Sequence, residues 1–249
     1  MLTKLLKYDL KWSYKLLSIF YLLSLILTGL TKIFLSFENS FLIHLIGKIS
    51  LFSTLILLVV TIINNILSSF IRFVKNIYKD EAYLTHTLPV SEKNIFLSKV
   101  LSSIITLLTS FLIGFICLYI LNDSNLTETF NIDKTLIIKS CIILFLETIF
   151  ILLIGYFGII IGHKSNNKKT LKSIIIAIVS YFIMQALTLL LILLYGTINP
   201  DFMNLFTNQN ANIETLEKIL TFSIIIYLIY NFFLYIISKK CYLKGINID

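Results

Sequence analysis

Six α-helices crossing a lipid bilayer, an all-α membrane protein, is the fold class this sequence predicts, and three observations lead to it. The 249-residue chain is 57% hydrophobic and only 14% charged, with a mean hydropathy of +0.92. A soluble domain carries about 25% charged residues. Several apolar runs reach the roughly 18 residues or more needed to cross about 30 Å of hydrocarbon at about 1.5 Å rise per residue. Finally, Lys and Arg concentrate on alternate connections between those runs, the bias that orients membrane helices. An outer-membrane barrel would instead show segments of about ten residues with alternating polarity, and none is present.

The first element is a candidate interfacial helix over residues 1–15, MLTKLLKYDLKWSYK. At 100° per residue, Lys4, Lys7, Lys11 and Lys15 fall within an arc of about 80°. Leu2, Leu5, Leu6, Leu10 and Trp12 fall opposite, with Asp9 as an exception inside that face. A basic face against a Leu/Trp face suits a helix lying at the membrane surface. A charged lead-in that only anchors the first span is the alternative.

Six spans follow: Leu16 to Leu35, Ile49 to Phe70, Val100 to Leu121, Leu136 to Ile161, Ser173 to Thr197 and Ile219 to Ile237. Phe41 to Lys48, interrupted by His44 and Lys48, is expected to extend span two outward or to form a short re-entrant turn. Lys and Arg number four in residues 1–15, five in 71–99, four in 163–172 and three in 239–249. The other connections hold five: Lys32, Lys48, Lys134, Lys139 and Lys218. Sixteen against five places both termini and the 71–99 segment in the cytoplasm. Glu38, Asp123, Glu128, Asp133, Asp201, Glu214 and Glu217 fall on the outer side. The outer connections 122–134 and 198–217 are too short for a domain with its own core. Residues 1–249 therefore read as one transmembrane domain. Asn125-Leu126-Thr127 matches a glycosylation acceptor, a tripeptide too common to carry weight.

The formal net charge of +8 belongs to this orienting pattern, and no nucleic-acid partner is expected. Cys117, Cys141 and Cys241 have no paired spacing for zinc or disulfides. His44, His86 and His163 lie in separate connections, with no HExxH, GxSxG or GxxxxGK[ST] pattern anywhere. No cofactor or metal is expected in this chain, no enzymatic activity of its own, and any ATPase belongs to another chain.

Polar residues inside the spans are the candidates for a path through the membrane. Glu147 lies about 16 Å into span four, near mid-bilayer, where a carboxyl group is costly and should face the bundle interior. Gln185 in span five and Asn231 in span six fall at similar depths, and Asn64 and Asn65 lie deeper in span two. They line a path for cargo or a coupling proton, or they are interhelical hydrogen bonds worth about 1 kcal/mol each. Gly158 and Gly162, after Gly155, have the GxxxG spacing of close helix packing.

The most distinctive stretch is 71–99. Arg72, Lys75 and Lys79 recur at helical spacing, so span two is expected to continue as a helix that Asp80-Glu81 end. The following AYLTHTLPV is apolar with hydroxyls and too short to cross anything. Pro89 disfavours helix at Leu88, and Ser91 with Glu92 caps the next helix. A helix, a compact turn and a helix form a rigid knob below the membrane, where another protein takes hold.

The run RFVKNIYKDEAYLTHTLPVSEKNIFLSK resembles the segment after the second span in permease subunits of bacterial ABC-2-type transporters of the low-GC Gram-positive kind. The opening MLTKLLKYDLKWSYKLL, the six spans and the basic tail KKCYLKGINID are similar to that family too. The resemblance implies that residues 1–15 are an interfacial connecting helix. It also implies that the coupling element which docks on an ABC ATPase subunit lies within Lys79 to Lys93. Asp80, Glu81, Tyr83, Thr85, Leu88 and Pro89 would make that contact. A second permease subunit, the same or different, is implied as well, with ATP and magnesium held by the ATPase. The expected function is the permease of an exporter in the bacterial cytoplasmic membrane. Its cargo would be a hydrophobic or amphipathic substrate such as a peptide, lipopeptide or drug-like compound. The short 198–217 connection departs from members with a larger outer element after span five. Alternatives are a non-transporting immunity or scaffold protein, a proton-coupled secondary transporter using Glu147, and an intramembrane enzyme. The last would need a second Glu or His at the depth of Glu147.

Overall fold

A computed structural model of the chain describes residues 2–37, 41–121, 134–165, 167–198 and 213–245. Most of the expected outer connections, with Glu38, Asp123, Asn125, Glu128, Asp133 and Asp201, lie outside the described residues. Helices account for 91% of the described residues, and no strand occurs among them. That is the requirement of hydrocarbon surroundings, where every backbone N–H and C=O must be bonded within its own segment.

Seven helices are present among the described residues: α1 Leu2–Leu35, α2 Phe41–Ile77, α3 Ala82–His86, α4 Glu92–Leu121, α5 Lys134–Gly162, α6 Lys169–Ile198 and α7 Ile213–Leu243. All except the five-residue α3 are long and apolar enough to cross a membrane, which gives the six spans expected. Each is longer than its predicted apolar run. At about 1.5 Å per residue, the 37 residues of α2 measure about 56 Å, well beyond about 30 Å of hydrocarbon. Residues Phe41 to Lys48 are the first turns of α2, so they extend the span and form no re-entrant turn.

The segment 1–15 is not a separate element. Residues from Leu2 onward run into the first span as one helix. Kinks need Pro, Gly/Ser pairs or an inserted group, and the first glycine here is Gly29. The buried stripe is Asp9, Ser13, Leu17, Tyr21, Ser24, Thr28 and Thr31, spaced by three or four residues throughout. Asp9 is therefore no exception on a lipid-facing surface; it begins the face that packs.

The described residues group into two compact units. The first comprises Met1–Lys75 and Tyr83–Asn131. In it α1 packs against α4, and the buried residues of the two helices include many hydroxyls: Ser24 and Thr28 on α1, Ser98, Ser102, Ser103, Thr106 and Ser110 on α4, while Thr31 Oγ1 shares a 2.7 Å bond with Ser50 Oγ on α2. Small side chains let the two backbones approach. Many of the hydroxyls bond a carbonyl one turn back, as Thr28 does to Ser24 O at 2.6 Å and Ser110 to Thr106 O at 3.0 Å. Polarity inside the seam is thereby satisfied locally. The loop end of α1 meets α2 closely, since a Cβ on Gly47 would stand 3.0 Å from Leu35 Cδ2.

The second unit comprises Asn76–Ala82 and Ile132–Asp249. Here α5 packs against both α6 and α7. The GxxxG pair is a packing device: Cβ atoms on Gly158 would lie 2.7 Å from Ser173 O and 2.8 Å from Ala177 Cβ. Gly162 is tighter still, and a Cβ there would collide with the Ser173 backbone. The turn from α5 to α6 contains Lys168 in the left-handed region, at φ 52°.

Candidate functional site

Three groups of residues are the candidates for function among the described residues. The first is α3 and its flanks. Ala82 is fully buried and Thr85 is 7% exposed, whereas Tyr83 is 76% and Leu84 67% exposed. The short helix thus has an inward edge and an outward one. Ala82 N donates to Lys79 O at 2.7 Å, closing the turn that follows Tyr78. Thr87 N donates to Tyr83 O at 3.1 Å, and Val90 N to Leu88 O at 2.7 Å, so the chain is held compact up to Pro89. Ser91 O accepts from Asn94 N and Ile95 N at the start of α4, the backbone arrangement of an N-cap. Leu88 and Pro89 are exposed, as are Tyr83 and Leu84, so the segment between α2 and α4 presents four exposed apolar side chains. Of the predicted contact residues, Asp80 is exposed and Glu81 half-buried, but Thr85 is turned inward and offers no surface. Leu84, absent from the expected set, is exposed in its place.

The base of this loop is anchored by aromatic packing. Within the first unit Phe73 meets Phe96 edge-on, with centroids 6.3 Å apart. Within the second unit Tyr78 stacks on His163 at 4.3 Å. Burial pushes the Tyr78 phenol above its ordinary pKa, so it stays protonated as a neutral stacking partner. His163 Nδ1 lies 2.9 Å from Ile159 O and 3.3 Å from Ser173 Oγ. Neither Tyr78 nor His163 was singled out for this from sequence, because no spacing rule links residues 85 positions apart.

The second group is a buried ionic cluster in the first unit. Asp9, 3% exposed, receives Lys99 Nζ at 2.6 Å, Ser98 Oγ at 3.0 Å and Arg72 Nε at 3.4 Å. The Arg72 guanidinium also sits over the Trp12 ring, 5.0 Å from its centroid. Two cations and a hydroxyl around one carboxylate give a buried charge the partners it needs. Along the same unit, Asn65 Nδ2 donates to Ser110 Oγ at 2.8 Å, and Thr106 Oγ1 donates to Asn65 Oδ1 at 2.9 Å. Tyr21 OH shares a 2.7 Å bond with Ser110 Oγ. The fully buried amide of α2 is Asn65; the predicted Asn64 is only half-buried. In this unit the intramembrane amide thus serves helix packing.

The third group is at the middle of α5, α6 and α7. Asn231 Nδ2 donates to Leu146 O at 3.1 Å, binding α7 to α5 beside Glu147. Glu147 stands three residues, just under one helical turn, before Phe150 on α5, the residue against which the α6 and α7 tyrosines pack. Phe150 is the aromatic centre, with Tyr227, Tyr230 and Tyr181 at 5.7, 5.9 and 6.2 Å. The structure therefore brings the predicted Asn231 to the α5 turn that carries Glu147, with the predicted Gln185 at the same central level of α6. It adds three tyrosines, which the sequence reading assigned to no site.

At the α7 start a groove of about 470 Å³ is lined by residues that include Lys139, Tyr195, Glu217 and Phe222. Lys139 pairs with Glu217 at 3.5 Å and Tyr195 stacks on Phe222 at 4.4 Å. Among the described residues no group of three or more His, Cys, Asp or Glu could hold a metal ion. Compared with family models, curated proteins and solved structures, the chain finds no match.

Proposed function

We propose that this chain is the membrane-spanning permease subunit of a bacterial ABC exporter, driven by a separate ATPase subunit. The observation that carries the reading is the apolar tip of Tyr83, Leu84, Leu88 and Pro89 on an anchored loop between two spans. Exposed apolar side chains on a short, braced helix suit a protein groove. A loose polar linker would need none of them. In this reading the loop and both termini are cytoplasmic, the first turns of α1 lie at the membrane interface, and the ATPase holds ATP and magnesium. A second permease subunit completes the path, and ATP-driven closure moves the spans as rigid bodies through the loop. The cargo is a hydrophobic or amphipathic compound, by family analogy alone.

Co-expression with candidate ABC ATPase subunits from the same genome tests this, with co-elution in mild detergent and ATPase activity as readouts. The expected result is a complex that Tyr83→Ala with Leu88→Ala dissolves while the permease alone elutes unchanged. A chain that never retains the ATPase defeats the proposal.

A further inference from the structure

The polar residues of the two units differ in what they leave over. In the first unit, Asn65, Thr106, Ser110 and Tyr21 spend their polar atoms on one another, and Asp9 is matched by Lys99 and Arg72. In the second unit, Glu147 forms no ion pair among the described residues. Yet it stands near the middle of the 29-residue α5, roughly 20 Å from either end. Carboxyl groups at such depth are costly and mark functional sites.

Its surroundings have a definite chemistry. Gln185 and Tyr227 lie at the same central level of α6 and α7, again roughly 20 Å from the helix ends. Glu147, Tyr181, Gln185 and Tyr227 are all half-buried, so each keeps part of its surface outside the packing of this chain. Phe150 and Tyr230, at 1% and 6% exposure, form a closed backing behind them. Ring centroids 5.7 to 6.2 Å from Phe150 hold the tyrosines in a fixed cluster. Asn231, bonded to Leu146 O, pins α7 against α5 at this level. A carboxylate without an ion pair among the described residues, beside aromatic faces, complements a positive charge on an apolar body. The carboxylate neutralises the charge, and the ring quadrupoles attract it further in surroundings that exclude water.

We infer that Glu147, with Tyr181 and Tyr227, forms an intramembrane binding site for an amphipathic organic cation, whose ammonium, guanidinium or phosphonium head lies against the carboxylate. This names the substrate class of the exporter and rests on that reading only for the word substrate; binding belongs to this chain alone.

The test uses the full chain purified in neutral detergent without any ATPase. Tetraphenylphosphonium serves as the probe, its binding followed by equilibrium dialysis of the radiolabelled ion. Saturable binding is expected, weakened about tenfold or more by Glu147→Gln, which keeps size and removes charge. Glu147→Asp should retain it. Tyr227→Phe, which keeps the ring, should bind nearly as well as the unaltered chain, and Tyr227→Ala should not. Displacement of the probe by a Lys-rich amphipathic peptide or by a choline-headed detergent would support the site and tell peptide from lipid headgroup. Absence of binding, or equal binding by Glu147→Gln with unchanged elution, overturns the proposal. So does a Tyr227→Phe loss as large as that of Tyr227→Ala, since the ring face would then be irrelevant. Loss of ATPase co-elution leaves this measurement untouched, so the two readings fail separately.

Discussion

Asp9 shows how one residue changes meaning between sequence and structure. On a helical wheel it interrupts a Leu/Trp face; in the fold it is 3% exposed and holds Lys99, Arg72 and Ser98. Removing one member of a buried ion pair costs about 3–5 kcal/mol, because the remaining charge is left in a medium that solvates it poorly. Asp9→Asn should therefore lower the thermal midpoint in detergent by about 10 °C. Adding Lys99→Met, which removes the closer and more buried of the two cations that Asp9 holds, should recover part of the loss. An unchanged midpoint for Asp9→Asn would show that the cluster is solvated and contributes little. Gly162 offers a steric counterpart. A Cβ there meets Ser173 Cα at 2.6 Å, whereas a Cβ on Gly29 has nothing within 4 Å. Gly162→Ala should force α5 from α6 and lower the midpoint, while Gly29→Ala, gaining helix propensity, should hold or raise it slightly. Equal effects of the two would contradict the close packing of α5 on α6.

The element on which the proposed function turns is α3. Its five residues are too few to be stable alone, so its shape depends on the turns before and after it. Of the contact set drawn from the resemblance, Asp80, Tyr83, Leu88 and Pro89 are exposed and Thr85 is buried. Thr85 is buried and Leu84 is not, because a helix turns about 100° per residue and Ala82 fixes the inward side. Leu84→Ala should weaken ATPase retention without moving the thermal midpoint. Thr85→Asp should lower the midpoint itself, since it puts a charge against the buried edge. If Leu84→Ala instead destabilised the chain and Thr85→Asp did not, the two faces would be assigned the wrong way round. α1 makes a related point. Its hydroxyl face is legible as Ser and Thr at three- and four-residue spacing, but that pattern reads as seam only when α4 supplies the matching face.

Across the whole molecule, orientation is the property for which the Lys and Arg distribution gives an expectation and which helical geometry leaves open. Replacing Cys117, Cys141 and Cys241 and introducing a single cysteine by Tyr83→Cys gives a direct test. A membrane-impermeant maleimide should leave intact cells unlabelled and react once the inner face is opened. Labelling of intact cells would invert the topology and remove the ATPase from reach of the loop.

Length, hydropathy and the bias of basic residues were enough to establish six helices long enough to cross a bilayer. These are additive properties of single residues, and the hydrocarbon leaves helix as the form that satisfies the backbone within each segment. The partial continuation of α2 and the cap at Ser91 were legible for the same local reason. Partnership was not. That Asp9 meets Lys99, Asn65 meets Ser110, and Tyr181 and Tyr227 gather around Phe150 beside Glu147 depends on which helices pack and in what rotation. A polar residue in an apolar run looks the same whether it is a structural bond or an open site. Only tertiary structure, by supplying or withholding the complementary group, tells Asp9 from Glu147.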